Sequence, residues 1–564
     1  MVRILRNCSF NLALGRALWF VAFGLSLVIS PAAHAKDTLV IGITQFPATF
    51  HPSINSMMAK SYILAMTRRP VTTYDKDWKL VCMLCTQLPT IENGLAVREA
   101  TPDGKNGVAV SYTIHPDATW GDGVPVSTRD VVFTWEVGKS DFSGVGGAEL
   151  YRRIYKIDVK DDKSFTLHVD RLTFDYNSLS GYALLPEHLE RRKFSTPKDY
   201  RHQTTYDTDT LNEGLYFGPY LIAEVVAGSH VILERNPTWW GKPASFARVV
   251  VRVIENTAAL EANLLSGEID MISGELGVNI DQALAFEERH GERFQIIYKP
   301  GLVYEHIDLN LDNPILKDRR VRLAMLHAID RAAISQQLFG GKQPVAKSNV
   351  NPLDTMYASD LATPLYDRKT AARLLSEAGW ATMKNGVRIN AKGEPLSLDF
   401  ITTAGNRTRE LVQQVLQSQW RMLGIDVRIK NQPARVFFGE SLTERTYTGL
   451  GMYAWISSPE SVPRTTLHSA YIPDTANGFS GQNYTGFTSP EVDELLDSIE
   501  VELVPEKRRP MWRRLQEIYI EEIPVIPLYF RSNAFILPRW LKGVEPTGHQ
   551  YPSTLWIENW RDGN

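Results

Sequence analysis

Cys82 and Cys85 are the residues whose type and spacing most directly indicate chemistry, since they lie in the segment VCMLC. In an oxidising compartment such a pair joins into a small local loop, so we predict a disulfide between them. A zinc site would need two further ligands with similar pairing, and the sequence has no second C-x-x-C and no H-x-x-x-H. A thioredoxin-like redox role is poorly supported, because the pair does not open a clear helix after a strand.

The usual catalytic motifs are absent from the sequence. There is no G-x-S-x-G elbow, no H-E-x-x-H, no P-loop and no G-x-G-x-x-G. Single histidines are scattered among predicted loops and strands, a placement typical of structural residues: His51, His115, His188, His202 and His468. We predict no catalytic residue, no metal site and no cofactor, and therefore no enzyme. An exported hydrolase with an unrecognised site is the alternative from another class.

The elements that must position any site begin after an export signal. Arg3 and Arg6 start it, residues 17–29 form an apolar run, and Ala33-His34-Ala35 supplies a small-X-small cleavage pattern. Because a membrane span needs about 20 apolar residues, a signal peptide is favoured over an anchor. We predict cleavage after Ala35 and a soluble periplasmic protein.

Size and charge narrow the class of protein further. Removal of 35 residues from 564 leaves 529, which is too many for one hydrophobic core, so two or three lobes are expected. The signal holds three basic and no acidic residues, so the mature chain has 58 basic against 64 acidic residues, a net charge of −6. This charge argues against nucleic-acid binding.

Periodicity predicts alternating strands and helices. Residues 39–43 form a buried strand, residues 220–236 a hairpin, and a helix beginning at Thr257 ends at Gly267 before another strand. A second helix-strand unit spans 407–430, with Gly424 ending the helix, and Ser489 caps a third helix. The closing segment EEIPVIPLYF contains Pro524 and Pro527, and we predict an edge strand or a connection there.

Several strings resemble family 5 of the bacterial extracellular solute-binding proteins, the oligopeptide and dipeptide receptors of ABC importers. They include FGPYLIAEVVAGSHVILERNPTWWG at 217–241, LKDRRVRLAMLHAIDRAAI at 316–334, YDRKTAARLLSEAGW at 366–380, SPEVDELL at 489–496 and IPVIPLYFR at 523–531. The string TWGDGVPVSTRDVVFTW at 119–135 is similar to a turn-and-helix signature of that family. These strings occur in order over nearly all of the mature chain.

The resemblance implies an α/β fold of the periplasmic binding protein type II-like class, with two α/β lobes joined by a hinge and an extra inserted α+β domain. By analogy, domain I comprises residues 36–72, 206–295 and 523–564. Domain II comprises residues 73–205, and domain III comprises residues 296–522. The ligand is expected between domains I and III, enclosed when they close about the hinge.

In peptide-binding members an extended ligand pairs with a strand of domain III, and the matching stretch here is GMYAWISSP at 451–459. Many such members read G-W-x-x-D-Y-x-D-P, and the first aspartate holds the α-ammonium of the peptide. Aligned on Pro459, that aspartate becomes Trp455. Either another acid serves, or the ligand lacks a free amino terminus, and Trp455 could form an aromatic wall.

The resemblance therefore implies a receptor that captures a peptide or peptide-like small solute and delivers it to an inner-membrane ABC permease, acting as a monomer. A receptor for a nickel chelate, haem, an opine or an oligosaccharide is the alternative within the same fold. The predicted ligand-binding residues are Gly451, Met452, Tyr453, Ala454, Trp455, Phe46, His51 and Tyr304. Phe46 and His51 are included because they follow the first strand in a loop that contains proline, a common place for contacts.

Overall fold

A computed structural model describes residues 36–146, 148–477, 479 and 481–563. The predicted signal peptide lies outside the described residues. The strands are β1 (Thr38–Ile43), β2 (Thr72–Tyr74), β3 (Leu80–Cys82), β4 (Ala96–Ala100), β5 (Asn106–Thr113), β6 (Ile154–Val159), β7 (Ser164–Val169), β8 (Tyr220–Val226), β9 (His230–Arg235), β10 (Arg248–Val253), β11 (Met271–Ile272), β12 (Phe294–Leu309), β13 (Thr382–Lys384), β14 (Val387–Ile389), β15 (Ser397–Ile401), β16 (Asp426–Ile429), β17 (Leu450–Ile456), β18 (Val525–Pro538), β19 (Leu541–Lys542) and β20 (Arg561–Asp562).

The α-helices are α1 (Met58–Thr67), α2 (Thr128–Gly138), α3 (Ala148–Arg153), α4 (Glu187–Glu190), α5 (Pro197–Tyr200), α6 (Thr205–Thr208), α7 (Thr257–Ser266), α8 (Ile280–His290), α9 (Arg319–His327), α10 (Arg331–Phe339), α11 (Arg368–Glu377), α12 (Arg407–Arg421), α13 (Ala434–Val436), α14 (Arg464–Leu467), α15 (Pro490–Val501) and α16 (Pro505–Glu522). A π-helix follows α13 over Phe437–Leu442. Within the described ranges, no helix has the length and apolar character that crossing a membrane requires.

Ten strands form one sheet in the order β16-β15-β17-β12-β18-β11-β1-β10-β9-β8. Its two longest members, β12 and β18, run antiparallel through the middle. They pair over 294–300 with 532–538 at one end and over 304–308 with 525–530 at the other, and the pairing is interrupted between Pro300 and Tyr304. The two halves of the sheet are therefore joined through a pair of strands that is irregular at its centre.

The predicted helix boundaries agree with local capping chemistry. Helix α7 ends at Gly267, whose φ of 83° is a left-handed conformation that glycine adopts without a Cβ clash. Ser489 accepts a hydrogen bond from the backbone N–H of Val492 at the start of α15. The predicted hairpin is also present as β8 and β9, which pair antiparallel. These elements confirm the interpretation of the local sequence.

The closing segment at 521–530, predicted as an edge strand or a connection, contains the first part of β18, which pairs with β12 on one side. On its other side β11 pairs with β18 only at Ile536, and residues 525–530 meet no named strand there among the described residues, only an isolated bridge between Tyr529 and Val345. This part of the strand therefore has the character of an edge, although β18 as a whole lies between β12 and β11. Pro524 precedes the strand, and Pro527 stands opposite His306, next to the bulge at which the register skips Leu528.

Buried apolar residues form separate clusters. One packs β1, α1 and β10 together and includes Leu39. A second joins β12 and β17 to α9 and α12 and includes Trp420, and a third lies between β5, β7 and α2 and includes Leu167. A smaller disulfide-linked turn follows β3, where Cys82 and Cys85 are bonded with their Cα atoms 5.2 Å apart.

Candidate functional site

The candidate site is built on the paired strands β12 and β17. Their register places Tyr304 opposite Trp455, His306 opposite Tyr453, and Asp308 opposite Gly451. Side chains two residues apart on a strand share a face, and directly paired residues share it too. One face of this ribbon therefore presents an alternating set of aromatic, imidazole and carboxylate groups.

The second edge of β17 is only partly occupied. Strand β15 pairs with Leu450 and Gly451, and the Thr402 hydroxyl donates to the Met452 carbonyl at 2.7 Å. Beyond Met452, no strand among the described residues pairs with β17 on the side away from β12. The segment 453–456 therefore offers main-chain groups to which an extended ligand could add as a further strand.

A cavity of about 150 Å³ lies beside this edge. We call it the central cavity. It is lined by Leu302, Tyr304, His306, Asp308, Asn349, Val350, Asn351, Asp354, Trp455, Ile456, Ser457, Ser458, Ser461, Val462, Pro463, Thr465, Thr466, Leu467, Gln482, Trp512, Tyr519 and Val525.

A second cleft, of about 510 Å³, adjoins the central cavity and shares Ser458, Ser461, Val462 and Thr465 with it. Its other walls come from Tyr74, from residues between 149 and 181, and from Gln550. The lining of the central cavity is confined to residues 302–525. All of these lining residues except Val525 belong to predicted domain III, and Val525 belongs to predicted domain I, so a ligand between domains I and III stays a prediction. The facing wall of the adjacent cleft comes mainly from predicted domain II.

Aromatic rings form the walls of the central cavity. The Tyr304 and Tyr519 hydroxyls are hydrogen-bonded at 2.9 Å, and the Tyr304 ring stacks on His306 with centroids 4.9 Å apart. Trp455 stacks on Tyr484 with centroids 5.9 Å apart. Helix α16 contributes Trp512 and Tyr519, seven residues apart and so on one helix face. Packing of the rings against one another holds the walls in place.

Asp308 lies in the floor of the cavity and is 3% exposed. Its Oδ2 accepts a hydrogen bond from the Tyr453 hydroxyl at 2.6 Å, and its Oδ1 lies 3.3 Å from His306 Nε2. Burial, with the charge of Asp308 as a second cause, raises the pKa of Tyr453 well above its ordinary value. The Tyr453 hydroxyl therefore remains a donor to Asp308 at physiological pH.

Asp354 supplies a second carboxylate and fixes two loops. Its oxygens accept the backbone N–H groups of Met356 and Glu460, each at 2.8 Å. Burial raises the pKa of Asp354 to about 6. This carboxyl ties the loop after 349 to the loop that follows β17.

The opposite face of β12 carries a structural ion pair. Glu305 is fully buried; Arg409 Nε lies 2.6 Å from its Oε1 and Arg531 Nη2 lies 2.5 Å from its Oε2. Burial alone would raise the pKa of Glu305, but the charges of Arg531 and Arg409 hold it below the ordinary value. Glu305 thereby connects β12 to both α12 and β18.

Of the predicted ligand-binding residues, Tyr304 and Trp455 line the central cavity. Gly451, Met452, Tyr453 and Ala454 belong to the same strand without lining it. Met452 points to the opposite face of the sheet, where it belongs to the buried cluster of α9 and α12. Main-chain contact through residues 453 and 454 stays a prediction.

Phe46 and His51 lie apart from the central cavity, and their contact with a ligand stays a prediction. Phe46 packs against the cluster around β1. His51 is fully buried; its Nε2 lies 3.2 Å from the Tyr200 hydroxyl and its Nδ1 accepts the Ser53 backbone N–H. Burial, then the charges of Arg68 and Lys60, lower the pKa of His51 well below its ordinary value. The position of Phe46 and His51 in a proline-containing loop after a strand did not indicate which of these side chains would be buried.

Sequence reasoning missed His306, Asp308, Trp512 and Tyr519. A signal for the first two was available, because VYEHIDL alternates so that Tyr304, His306 and Asp308 share one strand face. No local signal showed that α16 would pack its face with Trp512 and Tyr519 against that strand.

Known proteins share the sequence pattern and the fold of this chain. The family model described as bacterial extracellular solute-binding proteins, family 5 Middle, matches residues 90–474. Oligopeptide-binding protein AppA of Bacillus subtilis (strain 168) is 25% identical over 483 residues, covering 83% of each chain.

Among solved structures, the oligopeptide binding protein from Thermus thermophilus, complexed with a pentapeptide, superposes with a TM-score of 0.71 at 28% identity over 93% of this chain and 96% of that one. NikZ from Campylobacter jejuni, in complex with Ni(L-His), has a TM-score of 0.70 at 21% identity, covering 93% and 100% of the two chains, and this likeness concerns the fold alone. The predicted fold class is confirmed. The chain belongs to family 5 of the bacterial extracellular solute-binding proteins.

Proposed function

We propose that this protein is a periplasmic receptor that captures a peptide or peptide-like solute and delivers it to the permease of an ABC importer, without making or breaking covalent bonds. The observation that carries the proposal is the unpaired edge of β17 at 453–456 beside the central cavity. Addition of an extended chain to such an edge supplies main-chain hydrogen bonds, each with a net contribution of about 0.5–1.5 kcal/mol, while pockets receive the side chains.

The comparisons support the same class of ligand. AppA of Bacillus subtilis is an oligopeptide-binding protein, and the Thermus thermophilus protein was solved with a pentapeptide. The signal peptide ending at Ala35 and the disulfide between Cys82 and Cys85 suit a periplasmic protein. A monomer that binds no nucleic acid completes the proposal.

The three-domain division belongs to this proposal as well. Domain I (36–72, 206–295 and 523–564), domain II (73–205) and domain III (296–522) are supported by the separate buried clusters centred on β1, on β5 and on β12. The interruption in the β12–β18 pairing between Pro300 and Tyr304 supports a hinge there.

A receptor for a non-peptide solute is the second candidate, favoured by Trp455 at the place where peptide binders carry aspartate. NikZ, solved with Ni(L-His), shows that the fold accepts such ligands.

Native mass spectrometry of the mature protein, purified without unfolding, tests these candidates. We expect a bound mass whose fragmentation gives amino-acid residues. Release of the ligand unchanged after long incubation supports a receptor. A bound chelate or sugar would replace the peptide proposal, and steady conversion of the captured compound would indicate a hydrolase.

A further inference from the structure

The ionisable side chains of the described residues that line the central cavity include carboxylates but no fixed positive charge. Among the described residues that line it, these groups are Asp308, Asp354, His306 and two tyrosines, and none is lysine or arginine. An anionic ligand would lose its hydration there without gaining a fixed positive partner, and an uncompensated buried charge is costly. The cavity is therefore poorly suited to a carboxylate, a phosphate or an anionic metal chelate.

The hydrogen bonds of His306 also bear on the charge of the cavity. Its Nδ1 lies 3.1 Å from the Tyr304 carbonyl oxygen, and a carbonyl can only accept, so Nδ1 carries a proton. Its Nε2 faces Asp308 Oδ1 at 3.3 Å and makes no hydrogen bond within the described part of the chain. Asp308 thus has the Tyr453 hydroxyl as its hydrogen-bond donor and no lysine or arginine partner among the described residues that line the cavity.

Nearby cations are engaged elsewhere. Arg409 and Arg531 bind Glu305 on the other face of β12. Arg508 Nη2 lies 2.9 Å from Glu460 Oε2, and its Nη1 binds the carbonyls of Glu502 and Leu503. In the adjacent cleft, Arg171 pairs with Glu500 and Arg464 with Asp497 and Glu500. None of these arginines donates to Asp308.

The aromatic walls favour the same charge. Tyr304, Trp455 and Trp512 line the cavity, and ring faces attract ammonium and guanidinium groups. Trp512 is 2% exposed and its indole N–H has no partner within the described residues.

We propose, resting on the proposed receptor function, that the ligand carries a positively charged group which occupies the central cavity with Asp308 as its counter-ion. The charge comes from the α-ammonium of a peptide or from a basic side chain. Asp308 lies four residues along β12 from Tyr304, the partner of Trp455. At about 3.3 Å per residue, the counter-ion stands roughly 13 Å along the sheet from position 455, where many peptide binders carry aspartate.

The test uses the mature protein, freed of cargo by unfolding and refolding. Equimolar pentapeptides Ala-Ala-Xaa-Ala-Ala, with Xaa as Lys, Gln or Glu and with a free or acetylated amino terminus, compete for it in native mass spectrometry. Because a hydrogen bond to a charged group contributes about 1.5–3 kcal/mol, the preferred cationic peptides should bind at least about tenfold more tightly than their neutral or acidic counterparts. A lysine preference among the acetylated peptides assigns the charge to the side chain. Tighter binding of the free than of the acetylated peptides, whichever residue Xaa is, assigns it to the amino terminus.

Asp308→Asn should reduce this ratio to below about threefold, and Asp281→Asn, an exposed acid in the first turn of α8, should leave it unchanged. If Asp308→Asn fails to fold, the charge preference of the wild-type protein decides alone. Equal binding of all six peptides, with no preference for lysine and none for a free amino terminus, would overturn the inference and leave the peptide receptor standing.

Two further ligands separate failure of the inference from failure of the receptor proposal. If no peptide binds but argininamide binds in an Asp308-dependent manner, the cation site stands and the peptide proposal fails. If Fe(III)-EDTA binds and peptides do not, or if nothing binds, both are overturned.

Discussion

Replacement of Glu305 by glutamine tests how the two halves of the sheet are held together. Glu305 is fully buried on β12, and its partners Arg409 and Arg531 have side chains 9% and 38% exposed. Glutamine keeps the volume and leaves the Arg409 guanidinium buried without a counter-charge. Removal of one partner from a buried pair costs about 3–5 kcal/mol, and we expect a loss near the lower end because the amide oxygen still accepts one hydrogen bond.

The measurement is urea unfolding at pH 7 followed by tryptophan fluorescence. With a slope of about 1–3 kcal/mol per molar urea, a loss of about 3 kcal/mol lowers the midpoint by roughly 1–3 M. Arg531→Ala is the matched comparison: it removes the more exposed partner and leaves Arg409 in place, so a loss of about 1 kcal/mol or less is expected.

The stability that Glu305 contributes should change with pH in a defined direction. Because the arginines hold the pKa of Glu305 below its ordinary value, its contribution is present above the unfolded pKa of about 4.3 and is lost as the pH falls below it. The difference between wild type and Glu305→Gln should therefore be largest at neutral pH and shrink toward about pH 3. An equal shift for Glu305→Gln and Arg531→Ala, or a difference that does not change with pH, would refute the reasoning.

Three further predictions concern the site and its surroundings. Trp455→Ala should weaken ligand binding by about 1–3 kcal/mol in titration calorimetry, whereas Trp540→Ala, a half-buried indole outside the cavity, should not, and unchanged affinity for Trp455→Ala would remove it from the site. Replacement of both Cys82 and Cys85 by serine should lower the free energy of unfolding by about 2 kcal/mol for so short a loop, and thiol titration of the unfolded, unreduced mature protein should find no free thiol. His51→Ala should leave affinity unchanged and lower the melting temperature, since its ring is buried against Tyr200 and Tyr206; a loss of affinity in a stably folded variant would return His51 to the site.

Local structure could be predicted from the sequence wherever it is determined by the residues of a single segment. Three such features are the capped start of α15, the glycine that ends α7 and the β8–β9 hairpin. They follow from residue propensities, capping residues and hydrophobic periodicity, which depend on neighbours within a few residues. The fold class was recognisable because many such segments occur in a family-specific order. Trp455 was found because the resemblance marked its strand, β17, whereas Tyr304 was selected as part of a facing or hinge-proximal segment.

The tertiary structure decided what lies against that strand. Register with β17 places Asp308 beside His306 and Tyr453, and α16 brings Trp512 and Tyr519 to the same cavity. Burial of His51 likewise depends on Tyr200, 149 residues away in sequence, and on Tyr206. These outcomes come from packing between distant segments, and the charge of a cavity is a property of the surfaces that meet there, not of any one segment.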